Sequence, residues 1–424
     1  MPIGWRDTVL SAVVRGDDGL QTGPFGGQLH ASEYTEGGVP VVMPKDLGKG
    51  RITTSSVARV PEAVAAELAR HRLTKDDILF GRRGDIGRCG LVVEEERGWL
   101  CGTGCLRARP DPQQTFAPFL IHVISWEPTV RWLTENAVGQ TMLNLNTSIL
   151  GRLPLRLPPL GEQRKIAAIL SSVDHAIEAT RAVIDQLQVA KKAMMAELLT
   201  RGLPGRHTKF KVTDIGEVPE GWDVLPVRAL GEVQLGKMKS PVHTKGRLRP
   251  YLRVANVLDG AIRPTDVLEM LFEDREWEKF RLRDGDILLN EGQSLELVGR
   301  SAIYRGAPVD CAFQKTLLRF RAKPDVSSEF MQAQFQLCLY SGRFAENAVQ
   351  TTSIAHLTGI RFCSMLMTRP SVEEQHQIAA ALGAMQGRID AEGAVASALR
   401  ALKGALMAAL LTGNVRVAPD QDAA

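Results

Sequence analysis

The chain has 424 residues, 44% hydrophobic and 24% charged, with a formal net charge of +4. That length exceeds one ordinary core and suits two or more domains, and the weak basic excess is compatible with a nucleic-acid partner without demanding one. No apolar run near the roughly 20 residues of a membrane span is evident, the start "MPIGWRDTVL" has no basic-then-apolar leader, and six cysteines in this length do not suggest a disulfide scaffold, so a cytoplasmic, reducing setting is expected.

A globular-looking region comes first, residues 1–157. Within it "PEAVAAELARHRL" (61–73) has helical spacing, and "DDILFGRRGDIGRCG" (76–90) runs from a strand-like stretch into a Gly- and Arg-rich loop. Cys101 and Cys105 form C-x-x-x-C in "WLCGTGCLRAR". No further ligands follow at zinc spacing, so reduced, partly buried thiols are expected. Residues 158–202 then read as one long helix, opened by Pro158 and Pro159. Its apolar positions Ile166, Leu170, Val173, Ile177, Ile184, Leu187 and Leu198 lie on steps alternating between 4 and 3, with Thr180, Lys191 and Met194 completing the series. That is a heptad seam, and about 40 residues make a rod of roughly 60 Å.

"RGLPGRHTKFKVTDIGEVPEG" breaks this helix with Gly and Pro and leads into a second globular region, within 203–369. There "LRVANVLDG", "GDILLN" and "TLLRFRAK" look like strands, and "SSEFMQAQFQLCLYSGRFAENA" looks helical. Residues 370–413 form a second long helix, opened by Pro370, with seam positions Ile378, Leu382, Ile389, Leu399, Leu406 and Leu410. Residues 414–424 read as a disordered tail. The fold class is α+β, with two globular domains, each followed by a long helix. The two helices are expected to pair as an antiparallel coiled coil in which paired residue numbers add to 576, Ile166 facing Leu410.

The chain is a tandem repeat. An offset of 212 pairs Glu162-Gln163 with Glu374-Gln375, Ile166 with Ile378, Leu187 with Leu399, Lys191 with Lys403, and "LLT" at 198–200 with "LLT" at 410–412. "LRAR" (106–109) lies 212 residues before "LRFR" (318–321), and Gly4-Trp5 recurs as Gly221-Trp222. The period is far too long for a solenoid and means duplicated domains.

Catalytic motifs are scarce. "GEVQLGK" (231–237) fits G-x-x-x-x-G-K, but Met238 follows where a Mg²⁺-binding hydroxyl belongs. No metalloprotease, hydrolase or methyltransferase motif is present, and no carboxylate cluster reads as a nuclease centre. His175 and His376 sit on helices, where a lone histidine is usually a packing or surface residue. Basic residues do gather with turn glycines, where Arg and Lys reach phosphates and base edges. The candidates in the first region are Arg82, Arg83, Arg88, Gln140, Thr141 and Asn144. Those in the second are Lys237, Lys239, Lys245, Arg247, Arg249, Tyr251, Arg253, Gln293, Ser294, Arg300, Gln350 and Thr351. The plainer reading is a solvated charge run, with Asp85 tying down one arginine.

"RLPPLGEQRKIAAILSSVD" with "AKKAMMAELLTRG" resembles the central region of type I restriction–modification specificity subunits. "YLRVANVLDG", "GDILLNEGQSLELVGRSAIYRG" and "QTMLNLNTSILGRLPL" resemble segments of their target-recognition domains. The resemblance covers nearly the whole chain. It implies a non-catalytic, cofactor-free subunit that reads a bipartite, asymmetric site in double-stranded DNA through two target-recognition domains. It further implies two modification subunits that carry S-adenosylmethionine and methylate adenine, and restriction subunits that use ATP and Mg²⁺. The second helix departs from the first, with His376 and Gln377 at its start and Gly383, Gly387, Gly393 and Gly404 along it. Other readings are a specificity subunit of a different restriction–modification type, a coiled-coil scaffold that binds no DNA, and an enzyme with an unrecognised site.

Overall fold

A computed structural model describes residues 4–25, 27–53, 55, 57–139, 142–239, 245–350 and 354–418. The chain divides into two compact units. The first comprises residues 1–180 and 395–424, the second residues 181–394.

In the first unit a five-stranded sheet runs in the order Leu20–Thr22, Cys105–Ala108, Ile78–Gly81, Cys89–Leu91, Lys49–Gly50. The central strand "ILFG" is buried at every position, as a strand covered on both faces must be. Helix Ala117–Ser125 covers the sheet with Phe119, Leu120 and Ile124. A smaller sheet holds Ala58–Val60, Val39–Val42 and Leu100–Cys101. Cys101 and Cys105 are buried free thiols, and burial pushes Cys101 up to about 12.

The second unit repeats this plan. Its main sheet runs Gly231–Leu235, Leu317–Ala322, Ile287–Asn290, Ser301–Ile303, and its smaller sheet runs Leu268–Phe272, Arg247–Leu252, Ala312–Phe313. Helix Ser328–Tyr340 is capped by Ser327, whose hydroxyl accepts from the Phe330 N–H at 3.2 Å.

The echoed "LRAR" and "LRFR" are structural. Arg109 grips the buried Asp77 carboxylate at 2.8 and 2.9 Å, and Arg321 grips buried Asp286 with two bonds of 2.7 Å. Arg107 and Arg319 are buried too, paired with Asp18 and Glu232. A fork of guanidinium donors matches a carboxylate, so Arg109 and Arg321 neutralise carboxylates taken out of water, while Asp18 and Glu232, both exposed, balance the buried guanidinium groups of Arg107 and Arg319.

The long helices are Leu160–Arg201 and Val372–Leu410, and they pack together. In the first unit Ile166 and Leu170 share a core with Met407, Leu410 and Leu411, and Lys403 Nζ lies 2.7 Å from Asp174. In the second unit Met195, Leu198 and Leu199 share a core with Ile378 and Leu382, and Lys191 donates to Gln386 at 2.7 Å. Within each unit, therefore, the segments run antiparallel. These polar pairs have numbers adding to 577, one beyond the expected register. Ile177 and Ile389 are buried, while Val173, Ile184, Leu187, Leu399 and Leu406 are half-buried, as a seam requires. The second helix runs unbroken through its four glycines, each of which faces open space. Contrary to the sequence expectation, it is long and apolar enough to span a membrane by length and composition, with a window of mean hydropathy 1.3. Alanines supply much of that apolarity.

The repeated Glu-Gln and Gly-Trp pairs explain one another. Trp5 donates its indole N–H to Glu162 at 3.2 Å, and Arg416 donates two bonds of 2.8 Å to the same carboxylate. Gln163 accepts from the Phe116 N–H at 2.8 Å and donates to the Pro158 carbonyl at 2.9 Å. In the second unit Trp222 donates to Glu374 at 3.1 Å, His207 lies 2.8 Å from that carboxylate, and Gln375 accepts from the Ser327 N–H at 2.8 Å. Each helix start is thus latched to its own globular unit. The expectation of a disordered tail from residue 414 is corrected for Arg416 and Val417, because the buried Glu162 carboxylate needs a counter-charge and Val417 packs on the first core.

The first unit buries two neutral histidines. Burial, then Lys403, lowers His122 to about 4 against the pull of Asp174, and burial beside Arg70 and Arg107 lowers His71 to about 4. Both groups take up protons more readily when unfolded. Their contribution is therefore full above about pH 6.5 and is lost as pH falls toward 4. Thermal melting should fall over this range, by on the order of 1–2 kcal/mol between pH 7 and pH 5, and His122→Gln should flatten the dependence.

Candidate nucleic-acid interface

In each unit the central strand of the main sheet runs out into a loop, and a short hairpin closes beside it. In the first unit Ile78–Gly81 leads into Arg82–Arg88, and Val138 pairs with Asn144 across a hairpin. The Leu145 N–H donates to the Arg82 carbonyl at 2.9 Å, which ties hairpin to loop. Arg82 Nε donates to Asn144 Oδ1 at 3.1 Å, and its guanidinium lies 5.4 Å from the centre of the exposed Phe25 ring. Arg83 is exposed, and its side chain has no ion-pair partner among the described residues. Arg88 is tied to Asp85 at 3.3 Å and to the Lys45 carbonyl at 3.2 Å, so Asp85 does restrain one arginine.

In the second unit Ile287–Asn290 leads into Glu291–Arg300. Gly292–Gln293 pairs with Ala355–His356, which pairs with Val349–Gln350. The Leu357 N–H donates to the Glu291 carbonyl at 2.8 Å, and Glu291 Oε2 lies 3.3 Å from His356 Nδ1. Gln293 accepts from the Ser294 N–H at 3.2 Å. Arg300 is half-buried at the loop's base, where burial lowers its pKa against the pull of Asp259.

The structure gathers Arg82, Arg83 and Asn144 at one edge, and Gln293, Ser294 and Gln350 at the matching edge of the second unit. Two candidates are corrected. Lys237 is 4% exposed, donating to Glu276 at 2.5 Å and to the Leu271 carbonyl at 2.7 Å, so its ammonium is consumed inside the fold. Tyr251 is 1% exposed, because strand alternation turns it into a core with Met270, Phe272 and Ala312. Arg249 stacks 4.6 Å from the Trp277 ring, and Arg253 pairs with Asp266. Lys239, Lys245 and Arg247 are exposed. Gln140, Thr141 and Thr351 lie outside the described residues. The first five residues of "GEVQLGK", Gly231–Leu235, form a strand paired with Leu318–Ala322, and a Cβ on Gly231 would fall 2.4 Å from Phe320. That packing leaves no phosphate loop there.

Sequence reasoning missed Phe25, Glu291 and His356. His356 was within reach, since it stands 212 residues after Asn144.

Two copies of one α+β unit, each latched to long helices and each offering a polar loop-and-hairpin edge, define a duplicated two-unit protein. The family described as type I restriction modification DNA specificity domain matches residues 32–189. The chain is 24% identical to the type I restriction enzyme MjaVIII specificity subunit of Methanocaldococcus jannaschii, over 91% of each chain. It is 24% identical to the EcoKI specificity subunit of Escherichia coli, over 80% of this chain and 74% of that one. A solved structure concerned with complex assembly and conformational transition of the type I restriction–modification system shares the fold, with a TM-score of 0.60 at 16% identity over 98% of this chain and 99% of that one. Part of the chain thus matches the type I restriction modification DNA specificity domain, and most of its length is similar to specificity subunits of type I restriction enzymes.

Proposed function

We propose that each globular unit reads one half of a split, asymmetric site in double-stranded DNA through the major groove. The observation that carries this is the matched edge: one backbone frame, built twice, presents Arg82 with Asn144 in one copy and Glu291 with His356 in the other. A duplicated frame bearing different side chains suits two different half-sites. Exposed Arg83, Lys239, Lys245 and Arg247 are suited to phosphates, and Arg82, Asn144, Gln293 and Gln350 to base edges. The chain itself needs no cofactor in this scheme. Two modification subunits bind it, carry S-adenosylmethionine and methylate adenine within the site, and restriction subunits that use ATP and Mg²⁺ complete the complex.

The test is DNA affinity against salt for the complex of this chain with its modification subunit. Affinity should fall steeply with salt, as counterion release requires. Arg83→Ala should weaken binding about equally across sequences and lower the salt slope by about 1. Salt-independent or absent binding by an intact complex would contradict the reading.

A further inference from the structure

We propose that Glu291, held by His356, is a cytosine-reading group of the second unit, at the position where the first unit places the guanine-suited Arg82. This rests on the DNA-reading function proposed above and assigns one base contact within each half-site.

The two positions are equivalent by internal structure. Asp77 and Asp286 are both buried and gripped by the last arginine of the "LRAR" or "LRFR" stretch. Arg82 and Glu291 each stand five residues after those aspartates. The carbonyl of each accepts from a hairpin leucine N–H, Leu145 at 2.9 Å and Leu357 at 2.8 Å. The residue before each leucine, Asn144 or His356, touches the side chain in question. One frame therefore presents a donor held by an acceptor in the first unit, and in the second an acceptor beside an imidazole.

A carboxylate at an edge that meets DNA is repelled by phosphates and by the O6 and N7 acceptors of guanine. In the major groove it finds a matching donor in the N4 amine of cytosine, whereas adenine sets its N7 acceptor beside its amine. Glu291 is 19% exposed in its side chain and His356 is 41% exposed. The carboxylate is thus partly covered yet keeps an opening to solvent beside the more exposed imidazole, which leaves it reachable by a base edge. The first unit shows the complementary chemistry. Arg82 has Nε engaged by Asn144, and its two terminal amino groups suit guanine O6 and N7.

The experiment is methylome sequencing of a methylation-free host that carries the full chain with its modification subunit. Glu291→Gln should move one position of one half-site from cytosine to adenine, since an amide pairs bidentately with adenine N6 and N7. Glu291→Ala should leave that same position degenerate, with discrimination reduced about tenfold or more. The half-site read by the first unit should be unchanged in both, which also reports that the variants are folded. Arg82→Ala should relax one guanine in that other half. The proposal is overturned if both Glu291 variants keep every position of the wild-type motif, or if they weaken all positions of one half equally. A wild-type host with no split motif would instead sink the functional reading on which it rests.

Discussion

Arg321→Ala should destabilise the second unit by about 3–5 kcal/mol, although its neighbourhood looks like a basic DNA-binding strand. The reason is the partner it leaves behind. Asp286 is 1% exposed and receives both Arg321 bonds at 2.7 Å, with the Arg283 N–H as its other donor at 2.8 Å. Removing the guanidinium strands a carboxylate that the fold has already desolvated, a far larger cost than losing a surface pair. Lysine would not rescue it fully, because a point charge cannot reproduce the two-pronged geometry. Denaturant unfolding followed by a second-unit signal such as Trp222 or Trp277 measures the loss. An Arg321→Ala chain that unfolds like the wild type while losing DNA affinity would make this arginine a DNA contact.

Glu162→Ala should loosen the start of the central helix from its globular unit and release the segment around Arg416. Burial alone would raise the Glu162 carboxyl, but bonds from Arg416, Trp5 and the Val417 N–H outweigh it and hold the pKa below the usual range. A carboxyl with a lowered folded pKa adds stability above its unfolded value and loses it as pH falls through the lowered one. The variant should therefore cost about 2 kcal/mol near neutral pH, with the difference from wild type shrinking in acid. Melting from pH 7 down to pH 3, with proteolysis near Arg416 as a local readout, checks both parts. A loss that stays constant down to pH 3 would contradict the charge argument.

The repeat, the two helices and their seam were legible in the sequence because spacing alone encodes them. Leu170 and Ile177 are buried where the alternating steps place them, and Lys191 and Lys403 meet polar partners at positions that are themselves 212 apart. The site was legible only in part. Arg82 and Asn144 carry their chemistry in their residue types. Lys237 and Tyr251 look alike in sequence to exposed neighbours, and only the partners supplied by Glu276 and the small core reveal that they face inward. Glu291 was passed over because a search for DNA contacts weights positive charge, whereas an acceptor for a base amine carries the opposite sign. The arginines of "LRAR" and "LRFR" fail that search in the other direction, being basic residues wholly used inside the sheets.

The most direct test of the central claim compares methylated motifs in a methylation-free host carrying the modification subunit alone, with this chain, and with a chain whose residues 1–157 come from another specificity subunit. The account predicts no split adenine-methylated motif in the first host, a two-part motif in the second, and replacement of only one half in the third. A motif that persists without the chain, or two halves that change together in the chimaera, would contradict it.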